Sequence, residues 1–202
     1  MTSAVSFAIF VCFRVATGSA DLDFLVWNLA LAWVPLAAAL AIDDVRSTPL
    51  AVQVPLLALW LAFFPNAPYL VTDIIHIDPH GGSFTSILGD VAIAGAAPAG
   101  LALGFSSLAL VERSLRERFG AGVALAASVA SLAVASVGIY LGRVEGLNSW
   151  DLIAQPRAVA DVLQDLVLDP LRHPLAVAGT LALCAALAAS YLRFRRLTEL
   201  ER

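Results

Sequence analysis

Residues 24–42 read FLVWNLALAWVPLAAALAI, a run of 19 positions without a charged side chain. A helix of that length spans a hydrocarbon core of about 30 Å, and only a closed hydrogen-bonded backbone is tolerated there. The rest of the chain has the same character. Of its 202 residues 60% are apolar and 14% charged, and the mean hydropathy is +0.85, whereas soluble domains carry roughly 25% charged residues. Further apolar runs cover Thr2 to Thr17, Leu50 to Phe64 with a continuation to Ile77, Ser86 to Val111, Phe119 to Leu141, and Leu175 to Leu192. The expected fold is therefore all-α: a polytopic transmembrane helix bundle of about six spans, forming one integral membrane domain over residues 1–202.

The polar punctuation supports these limits. Asp43-Asp44 and Thr48-Pro49 separate the second and third spans, and Glu112 to Arg118 separate the fourth and fifth. Gly18-Ser19-Ala20 resembles a cleavage site, so Met1 to Ala20 could be a signal peptide; but no positive charge precedes the run and Arg14 interrupts its end, which favours a retained helix. With six spans, Arg46, Arg113, Arg116, Arg118, Arg193, Arg195, Arg196 and Arg202 share one side, against at most Arg14, Arg143, Arg157 and Arg172 on the other. The positive-inside rule then places both termini in the cytoplasm. The chain has 12 arginines, no lysine and a net charge of −4, with no basic stripe for phosphates, so nucleic acid is excluded as a partner. Cys12 and Cys184 lie in apolar runs and read as small hydrophobes.

Small residues mark close helix contacts. Gly100 and Gly104 stand four apart in the fourth span, and Gly138, Gly142 and Gly146 continue that spacing along the fifth. Such spacing lets backbones approach where lipid supplies no hydrophobic drive, and it is read here as tight bundle packing rather than a dimer face. Pro98 should kink the fourth helix without breaking it.

The unusual polar residues collect at the non-cytoplasmic side. Trp27 and Asn28 lie one turn into the second span. Pro65-Asn66-Ala67-Pro68-Tyr69 interrupts the third after 15 residues, about 22 Å of helix. Two prolines remove two donors, so a broken third span is expected, with Asn66 either satisfying freed carbonyls or shaping a site. Tyr69 should bury its ring and find a hydroxyl partner. Asp73 and His76, three apart, fit a carboxylate that orients an imidazole base; they equally fit an acid and a histidine wetted at the interface. Asp90 opens the fourth span. Tyr140, Arg143, Asn148, Ser149, Trp150 and Asp151 end the fifth and open a long connection, with Arg143 a counter-charge for Asp73, Asp90 or Asp151.

These residues define a candidate site. Asp73, His76 and Arg143 are the candidates for chemistry, and Trp27, Asn28, Asn66, Tyr69, Asp90, Tyr140, Asn148, Trp150 and Asp151 for binding. Asp73, His76, Asp78 and His80 also offer metal-binding types, but Pro79 and Gly81-Gly82 turn the chain and spacing fixes no third ligand, so no metal or other cofactor is assigned. After Trp150, Val159, Val162, Leu163 and Leu166 oppose Asp161, Gln164 and Asp165 in an amphipathic helix opened by Pro156, expected along the membrane surface between spans five and six.

Trp27-Asn28, Phe64 to Tyr69 with Thr72-Asp73 and His76, Tyr140 to Arg143 and Asn148 to Asp151 together resemble the bacterial domain-of-unknown-function 1361 family, over about residues 22 to 192. Leu88-Gly89 stand before Asp90 where members often carry aromatic residues, so no aromatic clamp is assigned there. The resemblance implies a small multi-pass protein of the bacterial inner membrane and no established activity. Three functions fit: a site for a lipid-linked or envelope molecule, with membrane lipids as partners; a packing subunit among other membrane subunits; or a small permease. A permease needs polar residues toward the cytoplasm, where only Gln53 and the serines of the fifth span are available.

Topology is testable with Ser83→Cys and Thr198→Cys in a background lacking Cys12 and Cys184. An impermeant thiol reagent on intact cells should label position 83 and leave position 198 protected; the reverse pattern would invert the topology.

Overall fold

The computed structural model describes residues 22–77, 83–168 and 172–200, with positions 11, 15 and 170 besides. All the regular structure among them is helical. Five segments are long and apolar enough to cross a membrane: Asp23–Asp44, Leu50–His76, Ser86–Phe119, Ala121–Arg143 and Pro174–Thr198. The chain is a polytopic membrane helix bundle. The first expected span, Thr2 to Thr17, lies outside the described residues but for Val11 and Val15.

In chain order the elements are α1 (Asp23–Asp44), α2 (Leu50–Phe63), the short α3 (Asn66–Tyr69), a 3-10 turn (Leu70–His76), α4 (Phe84–Phe119), α5 (Ala121–Arg143), the short α6 (Asp151–Ala154), α7 (Pro156–Leu168) and α8 (Pro174–Leu200). Of the membrane-length helices α4 is the most buried and α8 the least. α1, the 3-10 turn and α5 pack on α4, α2 packs on α1, and α8 packs mainly on α5. Pro98 lies within α4 and does not interrupt it.

The third span is broken in its hydrogen bonding more than in its course. Phe64, Pro65, Tyr69 and Leu70 all keep right-handed helical torsions. Pro65 and Pro68 have no N–H to donate, and the chain tightens into the 3-10 turn beyond them. Side chains take up some of the carbonyls: Asn66 Nδ2 donates to Phe63 O at 3.0 Å and Thr72 Oγ1 to Tyr69 O at 2.7 Å. Backbone without a regular ladder survives at membrane depth only with such partners.

The glycines explain how this stretch is held. A Cβ on Gly100 would lie 2.3 Å from Ala67 O, and one on Gly104 3.1 Å from Ala67 Cβ. From the other side, a Cβ on Gly138 would lie 2.7 Å from Pro65 Cγ, and one on Gly142 3.0 Å from Tyr69 Cε2. The paired glycines of α4 and α5 thus clasp the break between them. Gly146 does not share this role; it has open space around it and a φ of +70° that favours glycine for backbone reasons.

One expected boundary is corrected. Glu112 to Arg118 do not form a loop, because α4 continues to Phe119 and Gly120 alone, with φ 87°, separates it from α5. The reason is Glu112, which is buried and takes Arg116 Nη2 (2.6 Å) and Arg195 Nη1 (3.1 Å) on one oxygen. Its other oxygen accepts from Ser128 Oγ at 2.9 Å and Tyr191 OH at 2.7 Å. One carboxylate therefore ties α4, α5 and α8 together. At the same end Arg113 bonds Asp43 at 2.9 Å, Arg46 bonds Glu117 at 3.3 Å, and buried Gln53 donates to the carbonyls of Val45, Arg46 and Thr48.

Gly100→Ala should lower stability by about 1–3 kcal/mol, the usual cost of overpacking, because the atom it meets is backbone. Gly179→Ala, with nothing within 4 Å of its Cβ, should leave stability unchanged or raise it by up to about 1 kcal/mol. Thermal unfolding of the two variants in detergent measures both.

Candidate functional site

At the end of the bundle away from the arginine cluster, the break delivers Thr72 and Asp73 to the inner side of the 3-10 turn. Asp73 is fully buried. One carboxylate oxygen accepts from Arg143 Nη2 at 2.6 Å, and the other from Asn28 Nδ2 at 3.1 Å. Arg143 comes from the last turn of α5 and Asn28 from the second turn of α1, so three spans meet at one carboxylate. Thr72 Oγ1 accepts from Arg143 Nε at 3.1 Å and Nη2 at 2.6 Å. The guanidinium carbon lies 4.5 Å over the centroid of the Tyr69 ring, a cation–π contact. A charge this near hydrocarbon is kept by pairing, stacking and partial wetting; the Arg143 side chain retains 23% exposure against 1% for Asp73.

His76 joins the network by its backbone neighbour and not by the carboxylate. Its Nδ1 lies 3.2 Å from Asp73 O, and its ring packs on Phe24 with centroids 4.9 Å apart. The orienting contact expected between the Asp73 carboxylate and the imidazole is absent, because both carboxylate oxygens face Arg143 and Asn28. Asp78 and His80 lie outside the described residues. Among the described residues no group of three or more His, Cys, Asp or Glu side chains is placed to hold a metal ion.

Asn66 turns inward and bonds Ser149 Oγ at 2.8 Å, stitching the break to the connection after α5. Tyr69 is only half-buried, and its hydroxyl makes no hydrogen bond among the described residues. The expected partner is missing because the ring edge opens into a cavity described below. Asn148, Trp150 and Asp151 form a compact turn: Asp151 Oδ2 accepts from the Asn148 backbone N–H at 2.7 Å, and Oδ1 from Gln155 Nε2 at 3.0 Å. Those bonds, the Asn148 N–H foremost, hold the Asp151 carboxyl below its ordinary pKa. Trp150 meets Trp27 edge-on at 6.2 Å, and both indoles are well exposed. Tyr140 turns aside to Glu145, at 2.9 Å. Asp90 lies near the start of α4 and is not bonded to Arg143, so of the three candidate partners only Asp73 takes the guanidinium.

Beside this network a cavity of about 680 Å³ opens between α2 and α5, which do not pack closely on each other. Leu31, Leu61, Ala62, Val134 and Val137 wall its deep part, and Val159 and Leu163 of α7 close one side. Asn28, Asn66, Tyr69, Asn148 and Ser149 line its polar end. The amphipathic α7 therefore presents part of its apolar face to the bundle.

A family described as a protein of unknown function (DUF1361) matches residues 27–187. The chain belongs to this family. No curated protein and no solved structure matches it. The span matched to DUF1361 begins at Trp27 and contains every residue of the Asp73 network as well as Glu112.

Three participants were not assigned from sequence. Thr72 and Ser149 stand inside the motifs, but hydroxyls in an apolar helix or a loop give no signal of a partner on another element. Glu112 read as punctuation because its neighbours are charged; its spacing of four from Arg116 was the available clue.

Asp73→Asn should destabilise the protein by about 1–3 kcal/mol, less than for a fully buried pair because Arg143 keeps some solvent contact. Arg143→Lys should also lose stability, since an ammonium cannot supply the fork or the stacked plane. His76→Ala should change little. A double-mutant cycle of Asp73→Asn with Arg143→Gln, read by thermal unfolding, should give a combined loss smaller than the sum.

Proposed function

We propose that this chain binds an amphipathic, lipid-like molecule, taking its apolar part into the groove between α2 and α5 and its polar part at the Asn28–Asn66–Ser149 end. The groove carries this reading. Its volume, about 680 Å³, is in the roughly 300–1,000 Å³ range of small-molecule sites. Its apolar walls lie at membrane depth, and its polar groups gather at one end, the distribution an amphiphile in a bilayer presents. Membrane lipids are thus the proposed partners.

The chain is proposed to sit in the bacterial inner membrane with both termini cytoplasmic and the polar end facing the cell envelope. The gathering of Arg46, Arg113, Arg116 and Arg195 into one ion-paired layer at the opposite end supports that orientation. Binding is favoured over carriage because the groove has little polar continuation. Ser128 is spent on Glu112, Ser131 and Ser136 of α5 donate back to carbonyls of their own helix, and Gln53 is spent on the α1–α2 turn. A purely structural subunit would need the Asp73 network but would give the groove no use.

Val137→Trp should fill the groove from its α5 wall. Native mass spectrometry of protein released from mild detergent should show lipid-mass adducts on the parent chain and few on this variant, with the melting temperature retained. Equal adducts on a folded variant would overturn the reading.

A further inference from the structure

Resting on that reading, the geometry points to an uncharged head group that carries hydroxyls, as in an acylglycerol or a glycosylated lipid, and not to a phosphate. The polar residues that line the groove are Asn28, Asn66, Tyr69, Asn148 and Ser149, all neutral. No arginine and no acid lines it among the described residues. Arg143 stands behind the Tyr69 ring, with Nε and Nη2 spent on Thr72 and Asp73, and its charge is matched by a carboxylate at 2.6 Å. An anionic head entering the groove would lose its hydration and meet no positive charge inside it.

The bonding directions narrow the class further. Asn28 turns its NH2 to the Asp73 carboxylate, and Asn66 turns its NH2 to Phe63 O and Ser149 Oγ. These orientations are forced, because a carboxylate and a backbone carbonyl can only accept. Both side-chain carbonyl oxygens are therefore left over, and neither makes a hydrogen bond among the described residues. Among the described residues Ser149 Oγ accepts from Asn66 and donates to no other group, and the Tyr69 hydroxyl makes no hydrogen bond. Two spare amide oxygens beside two spare hydroxyls suit a ligand group that both donates and accepts, as an alcohol does. They suit a phosphate poorly, since its oxygens would face two amide oxygens. A site whose polar groups need a hydroxyl discriminates strongly against a ligand without one.

The test uses the full chain in detergent with three dioleoyl probes: dioleoylglycerol, its 3-O-acetyl ester, and dioleoyl phosphatidic acid. Dioleoylglycerol should bind at least about tenfold more tightly than either of the others, the effect of about one good hydrogen bond. The double variant Tyr69→Phe with Ser149→Ala keeps the ring under Arg143 and the Asn66–Phe63 bond. It should lose about tenfold for dioleoylglycerol with little change for phosphatidic acid, while its melting temperature falls by no more than the loss of the single Asn66–Ser149 bond, the drop that Ser149→Ala alone shows. Tighter binding of phosphatidic acid, abolished by Arg143→Gln, would overturn the inference in favour of an anion at the guanidinium. Equal binding of the alcohol and its ester would overturn it too. Either result leaves the groove reading in place if Val137→Trp still blocks binding, whereas that reading falls if Val137→Trp affects none of the three.

Discussion

The close approach of two helix backbones to the Pro65–Leu70 break is the contact on which the remaining geometry hangs. Lipid gives apolar helices no reason to prefer one another, so packing at a membrane interface depends on how near the backbones can come. Gly100 and Gly104 on one side and Gly138 and Gly142 on the other remove the Cβ atoms that would collide with Ala67, Pro65 and Tyr69. With the break seated there, Asn66 meets Ser149, Tyr69 lies flat under Arg143, and Asp73 lands between α1 and α5. Shifting either glycine-bearing helix would misplace all of these at once.

The two ends of the bundle solve the problem of charge differently. At the arginine-rich end Glu112 is saturated by four donors from three helices, and its neighbours pair α4 with the end of α1 and the α1–α2 turn. Such a carboxylate has no capacity left for a ligand, and its work is to fix α8 against α4 and α5. At the other end the Asp73–Arg143 pair is similarly committed, but the groups around it are not. Neutral amide and hydroxyl side chains line the groove, and neither Asp73 nor Arg143 does. The ion pair holds Asn28 through a hydrogen bond and the Tyr69 ring through a cation–π contact.

The fate of the expected Asp73–His76 base illustrates how a tightened helix redirects side chains. Three residues apart in a 3-10 turn, the two stand in nearly the same direction, yet the carboxylate is pulled inward by Arg143 and Asn28 and the imidazole settles on Phe24. What remains between them is a contact to a backbone carbonyl. The imidazole is thus placed by Phe24 and a backbone carbonyl, and the carboxylate by Arg143 and Asn28.

Hydropathy alone made the membrane class and the approximate positions of five spans legible, since bilayer thickness and a rise of about 1.5 Å per residue convert sequence position into depth, but it ended the fourth span at Val111 where α4 runs on to Phe119. Depth in turn placed Asn28, Asn66, Asp73, Arg143 and Asp151 at one end, and the prolines marked the break. Sequence could not choose Asp73 over Asp90 or Asp151 as the partner of Arg143. That choice depends on the rotation of each helix about its axis, which glycines on other helices set. Nor could it reveal that Glu112 is buried, because a charge among charges looks solvated until α8 arrives to cover it. The groove was illegible for the same reason: it is the space two helices leave between them, and it exists only once their neighbours have fixed where each one stands.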